Sequence, residues 1–304
     1  MKKMIAAAVQ MNSQPDLDHS MNQCYHLVKA ACKKGAQLVG LPENFAFLGD
    51  EREKHRLAEP IAKAVQKTLP DWSRKFGIYL MAGGYPVRAE SGKVYNRAMM
   101  LNPDGQIIAL YDKIHLFDVD LSSDERYRES DLVEAGKPEV SYCDVRSGGN
   151  PSGIKESELS GNATDADIEN DTSQISWNKK DKFRIGLSIC YDIRFPELYR
   201  ALASEGCDVL CVPAAFTQVT GEAHWETLLR ARAIENSAYV LAPAQTGTHG
   251  VRRKTHGHSM IIDPWGRILA DAGTQPGVIT AAIDYFILDE VRKKLPALTH
   301  RVLR

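Results

Sequence analysis

The chain repeats one order of elements twice, and this repetition restricts its fold more than any other feature. Ile5–Val9 reads as a strand. Residues 19–35 read as a helix with Met21, Cys24, Leu27, Val28, Ala31 and Cys32 on one face. Leu38–Leu41 is a short strand, residues 61–76 a helix that Pro70 must kink or split, and Ile78–Gly83 a strand. A hairpin over 95–112 turns at Asn102-Pro103-Asp104-Gly105. The second half follows with a strand at Phe183–Ile189, a helix at Pro196–Glu205 opened by proline, and a strand at Val209–Val212. A helix at 223–237, a strand at Tyr239–Ala242 and a hairpin at Asp263-Pro264-Trp265-Gly266 complete the repeat. A strand at 278–283 and a helix at 285–294 close the chain. Two equivalent sheets with helices outside them predict one α/β unit, a four-layer α-β-β-α sandwich.

The 304 residues suffice for one such domain with a substantial core. A formal net charge of -1 gives no field that would favour nucleic acid or an anionic membrane. The apolar run after Met1-Lys2-Lys3-Met4 is too short for a secretory leader, and nothing approaches the ~20 apolar residues of a membrane span. A cytoplasmic protein is therefore expected. The six cysteines (Cys24, Cys32, Cys143, Cys190, Cys207 and Cys211) contain no C-x-x-C pair, which argues against a zinc or redox motif. Five of them are expected to act as small buried hydrophobes. His256-x-His258 lacks a convincing third ligand, so neither a metal nor an organic cofactor is expected. Residues 147–176 are rich in Gly, Ser, Asn, Asp and Glu, and read as a polar surface insertion between strands of one sheet system.

Three reactive side chains stand where strands end. Glu43 follows Leu38–Leu41, Lys113 follows Ile107–Tyr111, and Cys190 follows Phe183–Ile189. In α/β proteins, functional groups gather beyond the carboxyl ends of strands. Singly, these are an ordinary loop carboxylate, a surface ammonium and a buried thiol. Jointly they make a nucleophile, a base and a cation. A lysine at ~4 Å in an effective dielectric of about 20 favours a thiolate by roughly 4 kcal/mol before desolvation. The glutamate can relay the proton, and the lysine can stabilise an oxyanion with help from the Tyr191 backbone N–H.

Leu41-Pro42-Glu43, Tyr111-Asp112-Lys113-Ile114-His115 and Gly186-Leu187-Ser188-Ile189-Cys190-Tyr191-Asp192-Ile193-Arg194-Phe195-Pro196-Glu197 resemble, in this order, the glutamate, lysine and cysteine motifs of the nitrilase (carbon–nitrogen hydrolase) superfamily. The stretches from Gly221 to Asn236 and from Gly257 to Gly266 resemble its Nit branch. The resemblance covers nearly everything outside 147–176. It implies the α-β-β-α fold, a homodimer or larger assembly, and catalysis by Glu43, Lys113 and Cys190. It further implies a second glutamate, assigned to Glu129 in Tyr127-Arg128-Glu129-Ser130 with Glu125 as rival. Arg194 matches a carboxylate-binding position of related carbamoylases, and His224 and Trp225 are candidates for the pocket wall. The implied reaction is hydrolysis of a small linear amide with carboxylate groups: the thiolate attacks, ammonia leaves, and a thioester is hydrolysed. Deaminated glutathione is the substrate expected from the branch, with 2-oxoglutaramate or 2-oxosuccinamate as the alternative. The basic run Arg252-Arg253-Lys254 is a candidate for a second substrate carboxylate. Because Nit domains also occur fused to Fhit domains, a silent binding or scaffold role is the reading from another class.

Overall fold

The computed structural model describes residues 3–120, 126–147, 182–251 and 253–303. In the first half, β1 (Lys3–Gln10) leads through α1 (Leu17–Lys33) to β2 (Leu38–Gly40). A short helix α2 (Glu51–Arg56) and the long α3 (Ala58–Phe76) then lead to β3 (Tyr79–Arg88). These three strands are parallel, and β4 (Val94–Leu101) and β5 (Ile107–Asp112) extend the sheet as an antiparallel hairpin. A small charged hairpin follows, β6 (Asp118–Asp120) with β7 (Arg126–Arg128), pairing Asp118 with Arg128 and Asp120 with Arg126.

After β8 (Ser141–Arg146), the second half repeats the plan. β9 (Lys182–Leu187), α4 (Pro196–Ser204), β10 (Val209–Cys211), α5 (Gln218–Asn236) and β11 (Tyr239–Ala242) place three parallel strands side by side. A two-stranded arm, β12 (Thr246–His249) and β13 (Arg253–His256), precedes the hairpin β14 (Met260–Ile262) and β15 (Ile268–Asp271). β16 (Gly277–Asp284) and α6 (Tyr285–Lys294) end the fold. The sheet orders are β16-β1-β2-β3-β4-β5 and β15-β14-β11-β10-β9-β8. Each half thus lends one edge strand to the other half's sheet: β8 pairs with β9, and β16 pairs with β1, both antiparallel.

Strand alternation explains the layering. On the first sheet Met4, Ala6, Ala8, Leu38, Met81, Ala98 and Met100 face a core shared with Ile185, Leu187, Val209 and Leu241 of the second. The intervening Ala7, Val9, Val39, Leu80 and Met99 face Cys24, Val28 and Ala31 of α1 and Ile61, Val65 and Leu69 of α3. With both faces covered, the central strands are buried almost throughout, as parallel strands between layers must be. On the far side Leu198, Leu202, Trp225 and Leu229 from α4 and α5 close the fourth layer. The expected sandwich is therefore the observed one.

Both D/N-P-x-G turns form, with Gly105 at φ 76° and Gly266 at φ 84°, a region open to glycine. The helix containing Pro70 is neither split nor shortened there: α3 runs 19 residues through it, held by buried Val65, Leu69 and Trp72. The strands flanking the proposed insertion do belong to one sheet, with Arg146 opposite Lys182. The insertion itself, apart from Ser147, lies outside the described residues. Among the described residues no helix is long and apolar enough to cross a membrane.

Candidate active site

The ends of β2, β5 and β9 bring Glu43, Lys113 and Cys190 into one buried cluster, at 3%, 2% and 8% exposure. Lys113 Nζ lies 3.2 Å from Glu43 Oε1 and 2.8 Å from Glu129 Oε2, so the ammonium sits between two carboxylates. Glu129 opens a 3-10 turn after β7, and its Oε2 also accepts the Phe117 N–H at 2.7 Å. Glu129 thus takes the place expected of the second glutamate, while Glu125 lies outside the described residues. Glu43 Oε2 accepts the Ala215 N–H at 2.9 Å.

Two supports went unnoticed in the sequence. Asn96, on β4, donates from Nδ2 to Glu43 Oε1 at 2.8 Å and lies 3.4 Å from Glu129 Oε1. It therefore ties both carboxylates to the strand beside Lys113, whose own N–H donates to the Asn96 carbonyl at 2.9 Å. Asp192 lies fully buried beneath the nucleophile turn. Its carboxylate accepts from the Ile189 N–H at 2.8 Å, Tyr111 Oη at 2.8 Å, the His115 N–H at 3.2 Å and His115 Nδ1 at 2.7 Å. It welds the turn carrying Cys190 to the segment carrying Lys113. The His115 ring stacks on Phe195 with centroids 3.7 Å apart. Tyr111, His115, Asp192 and Phe195 stand inside the motifs and Asn96 lies outside them, but only the tertiary pairing reveals their role.

Cys190 itself has φ 50°, a left-handed conformation that costs a residue with a Cβ roughly 1–3 kcal/mol. The bond from its N–H to the Pro213 carbonyl at 2.8 Å helps hold it there. The thiol is thereby presented toward the cluster on a tight turn, as at a strand-to-helix nucleophile elbow.

The charge state differs from the thiolate expected of a lysine-activated cysteine. Burial and the Glu43 charge push the Cys190 pKa well above the ordinary thiol value, and Lys113 only partly opposes them. Burial works against the Glu43 carboxylate, but Lys113, the hydrogen bond from Cys190, Arg253 and Lys54 together hold its pKa below the usual value. Burial likewise disfavours the Lys113 ammonium, yet Glu129, Glu43 and Cys190 keep it charged with a pKa well above the ordinary one. The resting cluster is a thiol donating to a carboxylate beside an ammonium.

The cluster forms the floor of a cleft of about 1050 Å³, also lined by Phe117, Tyr127, Tyr191 and Phe216. Tyr191 lies next to Cys190 on the wall of this cleft. Arg194 does not line this cleft; its guanidinium packs over Phe216 and Tyr191, with Nη1 3.3 Å from His224 Nδ1. His224 is exposed on α5, and Trp225 is fully buried with its indole donating to the His258 carbonyl at 2.8 Å. Trp225 belongs to the core and not to the pocket wall, because the apolar face of α5 turns it under the sheet. Of the basic run, Arg253 lines the cleft, Lys254 is exposed, and Arg252 lies outside the described residues. His258 Nδ1 bonds Asp271 at 3.0 Å, and among the described residues no metal-binding group of three side chains occurs.

Comparison with known proteins agrees with this geometry. The carbon–nitrogen hydrolase family profile matches residues 5–293. A Synechocystis protein named deaminated glutathione amidase is 48% identical over 99% of both chains. A Bos taurus protein of the same name is 36% identical over 98% of this chain and 81% of its own. The crystal structure of the Caenorhabditis elegans NitFhit protein superposes with a TM-score of 0.81 at 34% identity, covering 99% of this chain and 66% of that one. With motifs, fold and full-length likeness in agreement, the chain belongs to the carbon–nitrogen hydrolase family.

Proposed function

We propose that the protein hydrolyses deaminated glutathione, using Cys190 as nucleophile, Glu43 as proton relay and Lys113 as the main oxyanion partner. The observation that carries the mechanism is the buried convergence of Cys190, Glu43 and Lys113 at three strand ends, with the ammonium 3.2 Å from Glu43 and 2.8 Å from Glu129. Glu43 takes the thiol proton as sulfur attacks the amide carbonyl. The oxygen gains negative charge, which Lys113 and the Tyr191 N–H stabilise. Glu43 then gives its proton to the departing nitrogen, and the C–N bond breaks to leave a thioester on Cys190. For this substrate the leaving amine is cysteinylglycine; ammonia would leave from a primary ω-amide. Glu43 next deprotonates water, which cleaves the thioester and restores the thiol.

The substrate follows from the names of the relatives and from a cleft of about 1050 Å³, roomy for a tripeptide-sized amide. The test is kcat/KM for deaminated glutathione against 2-oxoglutaramate. The former is expected to be preferred, and a clear reverse preference reassigns the substrate to the shorter ω-amide. Cys190→Ala is expected to abolish turnover of both, and near-normal activity in that variant overturns the mechanism.

We propose further that the protein is a homodimer joined through α4 and α5. Val219 and Ile234 on α5 are exposed at 62% and 45%, and nearby Trp265 at 51%, apolar surface that pairing would cover. Light scattering at micromolar concentration should give twice the chain mass; a monomer mass removes this assembly.

A further inference from the structure

Glu43 and Glu129 share one ammonium and one amide, yet the proposed chemistry asks only Glu43 to move a proton. The donors around each oxygen separate the two. A carboxylate offers about four lone-pair positions, two on each oxygen. On Glu129 all are filled: Oε1 accepts from Lys113 Nζ at 3.1 Å and Asn96 Nδ2 at 3.4 Å, and Oε2 from Lys113 Nζ at 2.8 Å and the Phe117 N–H at 2.7 Å. On Glu43, Oε1 accepts from Lys113 Nζ at 3.2 Å and Asn96 Nδ2 at 2.8 Å, and Oε2 from the Ala215 N–H at 2.9 Å. One position stays open, on Oε2. The Ala215 N–H also acts on the Cys190 sulfur, so that open position lies on the side of the nucleophile.

Asn96 is the residue that closes Oε1 on both glutamates. It is 5% exposed and does not line the cleft. Its Oδ1 is buried with no donor among the described residues, and native proteins rarely leave a buried polar atom so. Turning the amide over would only set Oδ1 against two carboxylates. The backbone gives way to the arrangement as well. The pairing of β3 with β4 is irregular between Ala82 and Tyr85, and a Cβ on Gly84 would collide with Asn96 Oδ1 and stand 3.2 Å from Glu43 Cγ. Packing alone calls for neither an orphaned carbonyl nor a bulged strand. Both follow if what matters is where the NH2 group points.

We propose that Asn96 is a positioning residue for the reaction: by occupying Oε1 of both glutamates, its NH2 group confines the travelling proton to Oε2 of Glu43 and keeps it from Glu129. Asn96 acts through Glu43 and not on the substrate. The inference deepens the amidase reading and rests on Glu43 as its proton relay.

Two variants of similar shape test it. Asn96→Leu removes the donor, and Asn96→Asp donates only while its carboxyl is protonated. With 2-oxoglutaramate, kcat of Asn96→Leu is expected to fall about 10- to 100-fold at pH 7, the loss of a charge-assisted hydrogen bond, with KM within about twofold. The acid limb of its kcat profile should rise by about one to two pH units, the same loss seen in the ionisation of Glu43. An aspartate between two carboxylates is pushed to keep its proton, so Asn96→Asp should surpass Asn96→Leu at about pH 5.5 and sink to its level by about pH 8. Equal reduction of both variants at every pH, with limbs unmoved, makes Asn96 merely structural and overturns the proposal, as does full activity in both. Should Asn96→Leu lack a cooperative melt, Asn96→Asp decides alone, because a profile parallel to that of the unmodified protein removes the role. If the unmodified protein cleaves neither 2-oxoglutaramate nor deaminated glutathione, the amidase reading fails by itself. Alkylation of Cys190 by iodoacetamide then tests Asn96: Asn96→Leu should make the rate climb with pH between about 6 and 8, and a profile unchanged from the unmodified protein removes the role.

Discussion

At the scale of single residues, the site is organised around where one proton sits. Cys190 and Glu43 face each other in a buried place, and their pKa values are driven apart, the thiol up and the carboxylate down. Such a pair should react as a unit, with no pre-formed thiolate. The rate of Cys190 alkylation by iodoacetamide is therefore expected to be nearly flat between about pH 6 and 8, since Glu43 stays ionised throughout. An ordinary thiol gains close to tenfold per pH unit in that range. Glu43→Gln should slow alkylation at least tenfold and introduce the ordinary slope; a tenfold-per-unit slope in the unmodified protein contradicts the pairing. Glu43, Lys113 and Cys190 were legible in the sequence because each stands within a few residues of the end of a strand, in a motif the chain shares with a known family. Asn96 and Asp192 were not, because a polar residue in a strand or turn gives no hint of its partner until strands from different parts of the chain are side by side. The thiolate expectation failed for a related reason: proximity of lysine is visible in a motif, whereas the extent of burial is not.

Among the elements, α2, β6–β7 and β12–β13 escaped sequence reading while every long element was found. The missed pieces are short and built of Glu, Arg, Asp, Thr and His, so they carry no apolar period. They are also the pieces that furnish cleft walls. The β12–β13 arm, which presents Arg253, is pinned by His249. Its Nδ1–H donates to the Ser13 carbonyl at 2.7 Å, and Nε2 accepts from Thr255 Oγ1 at 2.7 Å. Burial, with help from Arg253 and against the Ser13 carbonyl, pushes the imidazole pKa down to about 4. The unfolded chain, with an ordinary value of ~6.5, binds the proton more readily, so the neutral ring's contribution is complete above ~6.5. It is lost as pH falls through about 4, and amounts to about 3 kcal/mol. Melting temperature should accordingly fall between pH 7 and 5, and His249→Gln should be less stable at pH 7 with a shallower fall. An unchanged slope in that variant assigns the pH dependence elsewhere.

For the whole molecule, the two halves are equivalent strand by strand. Leu38 of β2 lies between Ala6 and Tyr79, and Val209 of β10 lies between Ile185 and Tyr239. Continuing along each strand, Leu41-Pro42-Glu43 corresponds to Val212-Pro213-Ala214, and Cys190 corresponds to Met11. Only one of the two related strand-end crevices holds the reactive set, and both halves build it: Glu43 and Lys113 come from one, Cys190 and the Ala215 N–H from the other. The exchange of β8 and β16 turns this partnership into a clasp. Neither half can withdraw without stripping an outer strand from the sheet it leaves behind and carrying off one that completed its neighbour. Unfolding should thus be a single calorimetric transition, with no state in which one half survives. The same clasp makes the covalent link between β8 and β9 dispensable for assembly. Residues 1–147 and 182–304, coexpressed as separate chains, should copurify and recover amide turnover. Each fragment alone should lack a cooperative melt, and a half that folds independently would show that the clasp is ornamental.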